Sequence, residues 1–409
     1  MITYGKALEQ VLSAVARLPS FRVSLADALG LAAAADVLAD EPVPPFTNSA
    51  MDGFAVRSAD CAGASSERPA HLRVLAEVWA GRVAAYRVDR GTAVRIMTGA
   101  PVPEGADAIV PIESAPVTGE WIDVPRPVRP GANIRLAGED IEVGARVVEA
   151  GSTLRPAEIG VLAATGRVEV LAVPRARIAV LTTGDELVDA SDVPGPGQIR
   201  DANVHSVCAQ TAAFGAVAMP FPRVPDRRDA VEGALREAAA AADVIVTTGG
   251  ISMGDSDFVK MVLDDLGAQR SFWRVAQKPG GPLGFWILDG KPVFGIPGNP
   301  VAAMVMMEEY VRPALRKMMG YSKLHRPERE GVLDQAWSKT MPDGRLHFLR
   351  VVAREHEGTL HAALTGPQGS GILSSMTRAN ALALVPEDVT ALPQGSRVPL
   401  HMTEQPEDH

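Results

Sequence analysis

Apolar and polar positions change period several times along this chain, and the changes divide it. Tyr4–Leu18 carries apolar residues at helical spacing, and Leu25–Leu38 is Ala-rich with Ser24 as a candidate cap, so both predict helices. PVPPF then stops helical structure. From Leu72 to Val128 short β-rich runs alternate with Gly- and Pro-containing turns, the pattern of an all-β insert. Gly138-Glu139-Asp140 reads as a loop, Pro156–Ala164 as a short helix and RVEVLAV as a strand. At Arg177 the pattern becomes strand–helix alternation. IAVLTTGDEL, Val217–Val224, Val244–Thr248 and Val293–Ile296 read as strands, with helices at Ala202–Phe214, Arg228–Ala241 and from about Phe258. That alternation predicts a doubly wound parallel sheet. After Arg316 it ends, and Gly331–Leu400 returns to short strands, which predicts a small all-β C-terminal domain.

The strand ends carry the chemistry. Open α/β sheets bind ligands outside the carboxyl ends of their strands, where helix N-termini offer free N–H groups to anions. Thr248 is followed by Gly249 and Gly250, which let the backbone approach a ligand. Ser256 or Asp257 can cap the next helix. Pro297-Gly298 ends the last strand, Asn299 is a plausible N-cap and Pro300 sits at the first helical position. LTTGDE, with Thr183 and Gly184, repeats the shape of VTTGGI. Lys278, between the two transitions, is a point charge suited to a phosphate or oxyanion. These loops predict a phosphate-bearing ligand; read blandly, the same glycines and prolines only make tight turns. Asp185, Glu186, Asp226, Asp255 and Asp257 fall at or near these loops, and carboxylates beside phosphate point to Mg²⁺. The same carboxylates can also serve as caps and helix-dipole partners. Asp52 precedes the predicted strand Phe54–Arg57 in a turn.

Composition narrows the classes. The net charge of −9 argues against a nucleic-acid binder, which would present a basic stripe. It leaves room for a locally basic site. Two cysteines, Cys61 and Cys208, support neither a disulfide framework nor a zinc pattern. The eight histidines show no metal-ligand spacing, so metal chemistry would have to use ligands brought by the substrate. No signal-peptide core and no membrane-length apolar run is present, so a reduced cytoplasmic setting is the expectation.

NSAMDG, GEDI, LTTGDEL, TTGGISMGDSDFVK, KPG, GIPGNP and QGSGILSSM-x-x-AN occur in this order. Together they resemble the MoeA family of molybdopterin molybdenumtransferases, to which the gephyrin E domain is related. TTGG-x-S-x-G-x-x-D alone is shared with MoaB/MogA- and CinA-type proteins; NSAMDG and PGNP in one chain are more specific. The resemblance implies a multidomain α/β fold with a linker domain (1–45 and 141–173) and a protruding β domain (46–140). A MogA-like doubly wound α/β domain (174–325) and a C-terminal β-barrel (326–409) complete it. It implies a homodimer with its cleft shared between subunits, and Mg²⁺-assisted insertion of molybdate into adenylylated molybdopterin with release of AMP. By resemblance the functional carboxylates are Asp52, Asp140, Glu186, Asp226 and Asp257, the last three being the Mg²⁺ candidates. The ligand-binding set would be Thr183, Gly184, Thr248, Gly249, Gly250, Ser252, Pro297, Asn299 and Pro300. Lys278, Arg350 and Ser370 fall on the oxyanion side.

Three positions depart from the family pattern. Gly281 stands where KPGK is common, Ala302 where a serine commonly follows PGNPV, and Thr47 where NSAMDG is usually preceded by Asp. The first two imply reduced oxyanion capture. A MogA-type adenylyltransferase, and a paralogue kept as a molybdopterin-binding or scaffold protein, are the competing readings. The molybdopterin adenylyltransferase is a further expected partner.

Overall fold

The computed structural model describes residues 1–83, 85–250 and 258–404. The chain opens with helix α1 (Tyr4–Ala14), whose Thr3 cap accepts from the Lys6 N–H and whose inner face buries Ala7, Leu8 and Val11. The Ala-rich stretch that follows is not the expected helix. Phe21–Ser24 is a strand paired antiparallel with Glu169–Val173, and Ala32–Ala33 pairs with the same strand on its other side. Ser24 closes a turn instead of capping a helix, accepting the Asp27 N–H at 3.3 Å and donating to the Asp27 carboxylate at 2.8 Å. Leu31, Ala32, Ala33 and Ala34 are buried in succession, which a half-exposed helix cannot do and an extended segment between two neighbours can. Helix α2 (Pro156–Ala164) packs on this small sheet through Leu162.

Between these pieces a six-stranded sheet runs in the spatial order Ala108–Pro111, Gly53–Val56, Thr92–Ile96, Ala70–Val78, Trp121–Val124, Val117–Thr118. A two-stranded ladder, Asn48–Ser49 against Ile134–Arg135, sits where the chain enters and leaves it.

The central sheet explains the site. Val217–Pro220, Arg177–Thr182, Val244–Thr248 and Lys291–Ile296 lie side by side and parallel. Gly284–Leu288 and Gln269–Trp273 extend the sheet antiparallel. From Arg177–Thr182 the chain passes first to one side through α3 (Ala202–Ala213), then through α4 (Arg228–Ala241) to the other. The crevice where that order reverses lies beyond Thr182 and Thr248. Successive side chains alternate between two cores. Ile178, Val180, Val244 and Val246 face α1, α3, α6 (Pro300–Met306) and α7 (Arg312–Met318). Ala179, Leu181 and Ile245 face α4 and α5 (Phe258–Asp265). Burial on both faces is why these strands read as unbroken apolar runs.

Glu328–Leu333, Leu346–His356, Thr359–Leu364, Ala381–Val385 and Arg397–Met402 close into a five-stranded barrel. The pair Gln277–Lys278, which comes from the α/β part of the chain, adds to it parallel to Leu346–His347. A second joint is polar. One π-helical turn, Met307–Val311, separates α6 from α7 and presents Glu309, which is 4% exposed. Tyr4 Oη donates to Glu309 at 2.8 Å, and His401 Nδ1 lies 3.0 Å from each of its oxygens. Helix α1, the π turn and the barrel therefore meet on one carboxylate.

That joint makes stability depend on pH. Burial by itself depresses a histidine, but the Glu309 bond, with Glu328 and Glu308 nearby, overrides it and raises His401 above its ordinary value. A raised folded-state pKa contributes stability that is full below the unfolded value, about 6.5, and lost as pH rises through the folded value. The urea midpoint is therefore expected to fall on raising the pH through that region, and His401→Gln to flatten the fall. An unchanged slope in the variant would show that the joint does not titrate.

Candidate active site

The crevice is built from loops whose backbone is tied together. Thr183 N–H donates to the Thr248 carbonyl at 3.1 Å, and Gly249 N–H to the Ile296 carbonyl at 3.2 Å, so the ladder runs on past the strand ends. Gly249 and Gly250 have φ of +89° and +63°, and a Cβ on either would lie within 3.0 Å of Thr183 atoms. The glycines are needed for both reasons, conformation and close approach. Gly184 has φ of +149°, and a Cβ there would meet the Glu186 carboxylate at 2.6 Å. Thr183 Oγ1 is buried and has no hydrogen-bond partner among the described residues. Beside these loops a cavity of about 510 Å³ opens between Thr182, Asp201, His205, Phe221 and Arg223.

Asn203, in the first turn of α3, is a site residue that sequence reasoning missed. Its Nδ2 donates to the Gly298 carbonyl at 2.8 Å and to Thr248 Oγ1 at 3.3 Å, which fixes the PGNP loop against the TTGG loop. The available signal was weak: one of several polar residues in the helix that the Asp201 cap begins. Pro297, Asn299 and Pro300 lie in that loop; Asn299 stands at the N-cap of α6 and Pro300 at its start, without a side-chain cap bond.

Glu186 is exposed and Asp226 half-buried. Their loops are linked, since Asp226 N–H donates to the Asp185 carboxylate at 3.1 Å and Thr183 bridges to Val224. Ser252, Asp255, Ser256 and Asp257 lie outside the described residues. Among the described residues no group of three or more His, Cys, Asp or Glu could hold a metal ion. Two hard carboxylates without soft donors suit Mg²⁺ only where substrate phosphate and water fill the remaining positions, which is how that ion is usually held.

A second cavity, of about 290 Å³, lies where the barrel meets the α/β sheet. Lys278, Lys339, His347, Arg350 and Gln368 line it. Arg350 is 1% exposed and is held by neutral acceptors: Ser375 Oγ at 3.2 Å, the Phe348 carbonyl at 3.4 Å and the Gly369 carbonyl at 3.1 Å. Burial pushes its guanidinium down to about 10, so it remains a cation at neutral pH. The Ser370 carbonyl accepts the Val301 N–H at 3.3 Å, which brings the barrel loop to the start of α6. Gly281 is not required by its backbone: φ is not positive, and a Cβ would sit 3.6 Å from the Val275 and Gln277 carbonyls. Ala302 is buried in the first turn of α6.

Asp52 and Asp140 are placed in another part of the chain, the six-stranded sheet and its neck. Asp52 Oδ1 accepts the Thr98 hydroxyl at 2.6 Å and the Thr98 N–H at 2.7 Å, and these bonds hold its carboxyl below the usual range. Asp140 N–H donates to the Val43 carbonyl at 3.0 Å and its side chain is exposed.

The Asn203 bridge can be tested by stability. Asn203→Ala is expected to cost about 1 kcal/mol in urea denaturation, the net worth of a lost hydrogen bond. Asn203→Asp, which sets a carboxylate against a carbonyl, is expected to cost more. Equal stability of all three proteins would show that the bridge is not made.

Comparisons with known proteins agree over the whole length. Residues 2–166 match the model of the MoeA N-terminal region (domains I and II), residues 179–317 that of a probable molybdopterin binding domain, and residues 335–402 that of the MoeA C-terminal region (domain IV). Molybdopterin molybdenumtransferase 2 of Mycobacterium tuberculosis is 37% identical over 381 residues, covering 92% of this chain and 93% of that one. Molybdopterin molybdenumtransferase of Bacillus subtilis is 35% identical over 380 residues, covering 92% and 88%. The crystal structure of the molybdopterin biosynthesis MoeA protein of Pyrococcus horikoshii superimposes with a TM-score of 0.84 at 28% identity, covering 98% of this chain and all of that one. With both its three regions and its full-length relatives drawn from one group, this chain belongs to the MoeA family of molybdopterin molybdenumtransferases.

Proposed function

We propose that this transferase of molybdenum cofactor biosynthesis inserts molybdate into adenylylated molybdopterin, with AMP as the leaving group. The observation that carries the reading is the pairing of two anion sites across one hydrogen bond. A glycine-lined cradle at a sheet switch point lies on one side, and Arg350, buried and bonded to neutral acceptors, on the other, joined through Val301 and Ser370. A pyrophosphate would lie against the cradle, with the unpartnered Thr183 hydroxyl as a donor, since the Thr183 and Gly249 N–H groups are already used in the ladder. The cavity beside it has room for an organic moiety of the ligand. Arg350 and Lys278 would orient molybdate next to the dithiolene, whose soft sulfurs are the metal's destination and make a protein metal-ligand set unnecessary.

Mg²⁺, held by Glu186, Asp226 and Asp257, would neutralise phosphate charge when bound. The exposed carboxylates Asp52 and Asp140 are proposed to complete the cleft of a second subunit in a homodimer. A molybdopterin adenylyltransferase is the proposed supplier of the substrate, and the cytoplasm the proposed setting. No helix among the described residues is long and apolar enough to cross a membrane.

The test uses purified protein, adenylylated molybdopterin, Mg²⁺ and molybdate, with AMP release and active cofactor as readouts. Glu186→Gln and Asp226→Asn are expected to slow AMP release at least tenfold, about 1.4 kcal/mol in the barrier, with melting temperatures unchanged. Full release rates at saturating substrate would remove the carboxylate from the mechanism. Mixing inactive Asp52→Ala with inactive Glu186→Ala is expected to restore partial activity, because a heterodimer carries one intact cleft. No rescue, with subunit exchange demonstrated, would place both residues in one subunit's cleft.

A further inference from the structure

The barrel cavity holds a cation that neither the sequence motifs nor the proposed reaction assigned. Its lining includes Lys278, Lys339 and Arg350 and, among the described residues, no acidic one, in a chain whose net charge is −9. Lys339 reaches it from the turn after Trp337–Ser338; its side chain is 8% exposed, and Nζ donates to the Asp343 carboxylate at 2.9 Å and the Glu387 carbonyl at 3.1 Å. Those two bonds leave one of three ammonium N–H groups for a ligand. Asp343, outside the lining, also holds His347 Nε2 at 2.9 Å. The other groups facing His347 are Trp337, ring to ring at 5.2 Å, and the charges of Lys339 and Lys278. Burial outweighs the upward pull of the Asp343 bond and, helped by those two cations, keeps this imidazole below its ordinary pKa, so it is mostly neutral near pH 7.

The three cations and the Asp343 carboxylate leave two net positive charges around a space of about 290 Å³. That is at the floor of the range for drug-sized ligands, roughly 300–1,000 Å³, and suits a small anion with water. The charge matches a tetrahedral dianion. We propose that Lys339, positioned by Asp343, is a specificity-determining residue of this pocket and makes it selective for doubly over singly charged tetrahedral oxyanions. The proposal rests on the reading of the pocket as the molybdate side of the site. Lys339 also supplies, from the turn after Trp337–Ser338, cationic charge that Gly281 does not provide.

Selectivity by charge has a signature that mere structural support lacks. Molybdate and perrhenate are tetrahedral oxyanions of closely similar size, carrying two charges and one. Coulomb energy scales with ligand charge, so loss of one cation costs the dianion twice what it costs the monoanion. Binding of each is measured by calorimetry on the full chain without the pterin substrate, at constant ionic strength. Wild type is expected to prefer molybdate. Lys339→Gln is expected to weaken molybdate roughly tenfold and perrhenate roughly threefold, the square root of that factor. Lys339→Arg is expected to keep the preference. Equal losses for both anions, or no loss, would overturn the assignment. So would a wild type that binds both equally, which decides the matter even if Lys339→Gln does not fold. Absence of AMP release by wild type would sink the reaction proposed above while leaving this binding comparison readable.

Discussion

The hydrogen bond from Thr183 N–H to the Thr248 carbonyl, 3.1 Å long, is the constraint on which the site depends. It lies just beyond the last paired residues of two parallel strands, Thr182 and Thr248, at the point where the chain order reverses. Because both strands are buried on both faces, they cannot shift register without unpacking two cores. Whatever follows them is therefore held in fixed relation. Gly249 takes a left-handed backbone, Asn203 pins the neighbouring PGNP loop, and α6 starts where Val301 can reach Ser370 of the barrel. A rigid sheet thus positions the two loop-built regions proposed to bind anions, which on their own would have no fixed geometry.

Electrostatics works in the opposite direction to composition. An acidic chain repels anions at long range, so capture must come from local, desolvated charge. Arg350 is buried against neutral carbonyls and a hydroxyl, an arrangement that costs solvation energy and that the proposed anion would offset. The carboxylates on the cradle side are left exposed or half-buried, as the proposed Mg²⁺ would require if water and substrate phosphate complete its shell. The division of labour between a cationic pocket and an anionic rim follows from which charges are dry.

Sequence patterns revealed the sheet because buried parallel strands are continuous apolar runs and their turns need glycine. Val244–Thr248, Pro156–Ala164 and the Asn299-Pro300 helix start read directly from residue type. Leu25–Leu38 misled because alanine favours helix intrinsically, while tertiary packing places Ala32–Ala34 between strands. Asn203 and Lys339 were illegible for another reason. Asn203 acts on Gly298, 95 positions away, and Lys339 enters its cavity beside Lys278 only because Gln277–Lys278 adds to a barrel strand. No local pattern encodes contacts that topology creates. Gly281 stood out in the sequence only by the side chain it lacks, and the backbone there has space for one.

The barrel is attached to the α/β sheet in two ways that differ in kind. The Gln277–Lys278 ladder is a backbone joint, which ties Lys278 to the barrel strand that also carries His347 and Arg350. The Glu309 joint is ionic and buried, shared by Tyr4 and His401 on separate segments. Ionic joints specify an orientation sharply, because removing one partner leaves a buried charge unpaired. The π turn that presents Glu309 interrupts the α6–α7 helix about two turns after Val301, the residue bonded to Ser370. The same helical segment therefore sets both the barrel's orientation and its distance from the cradle.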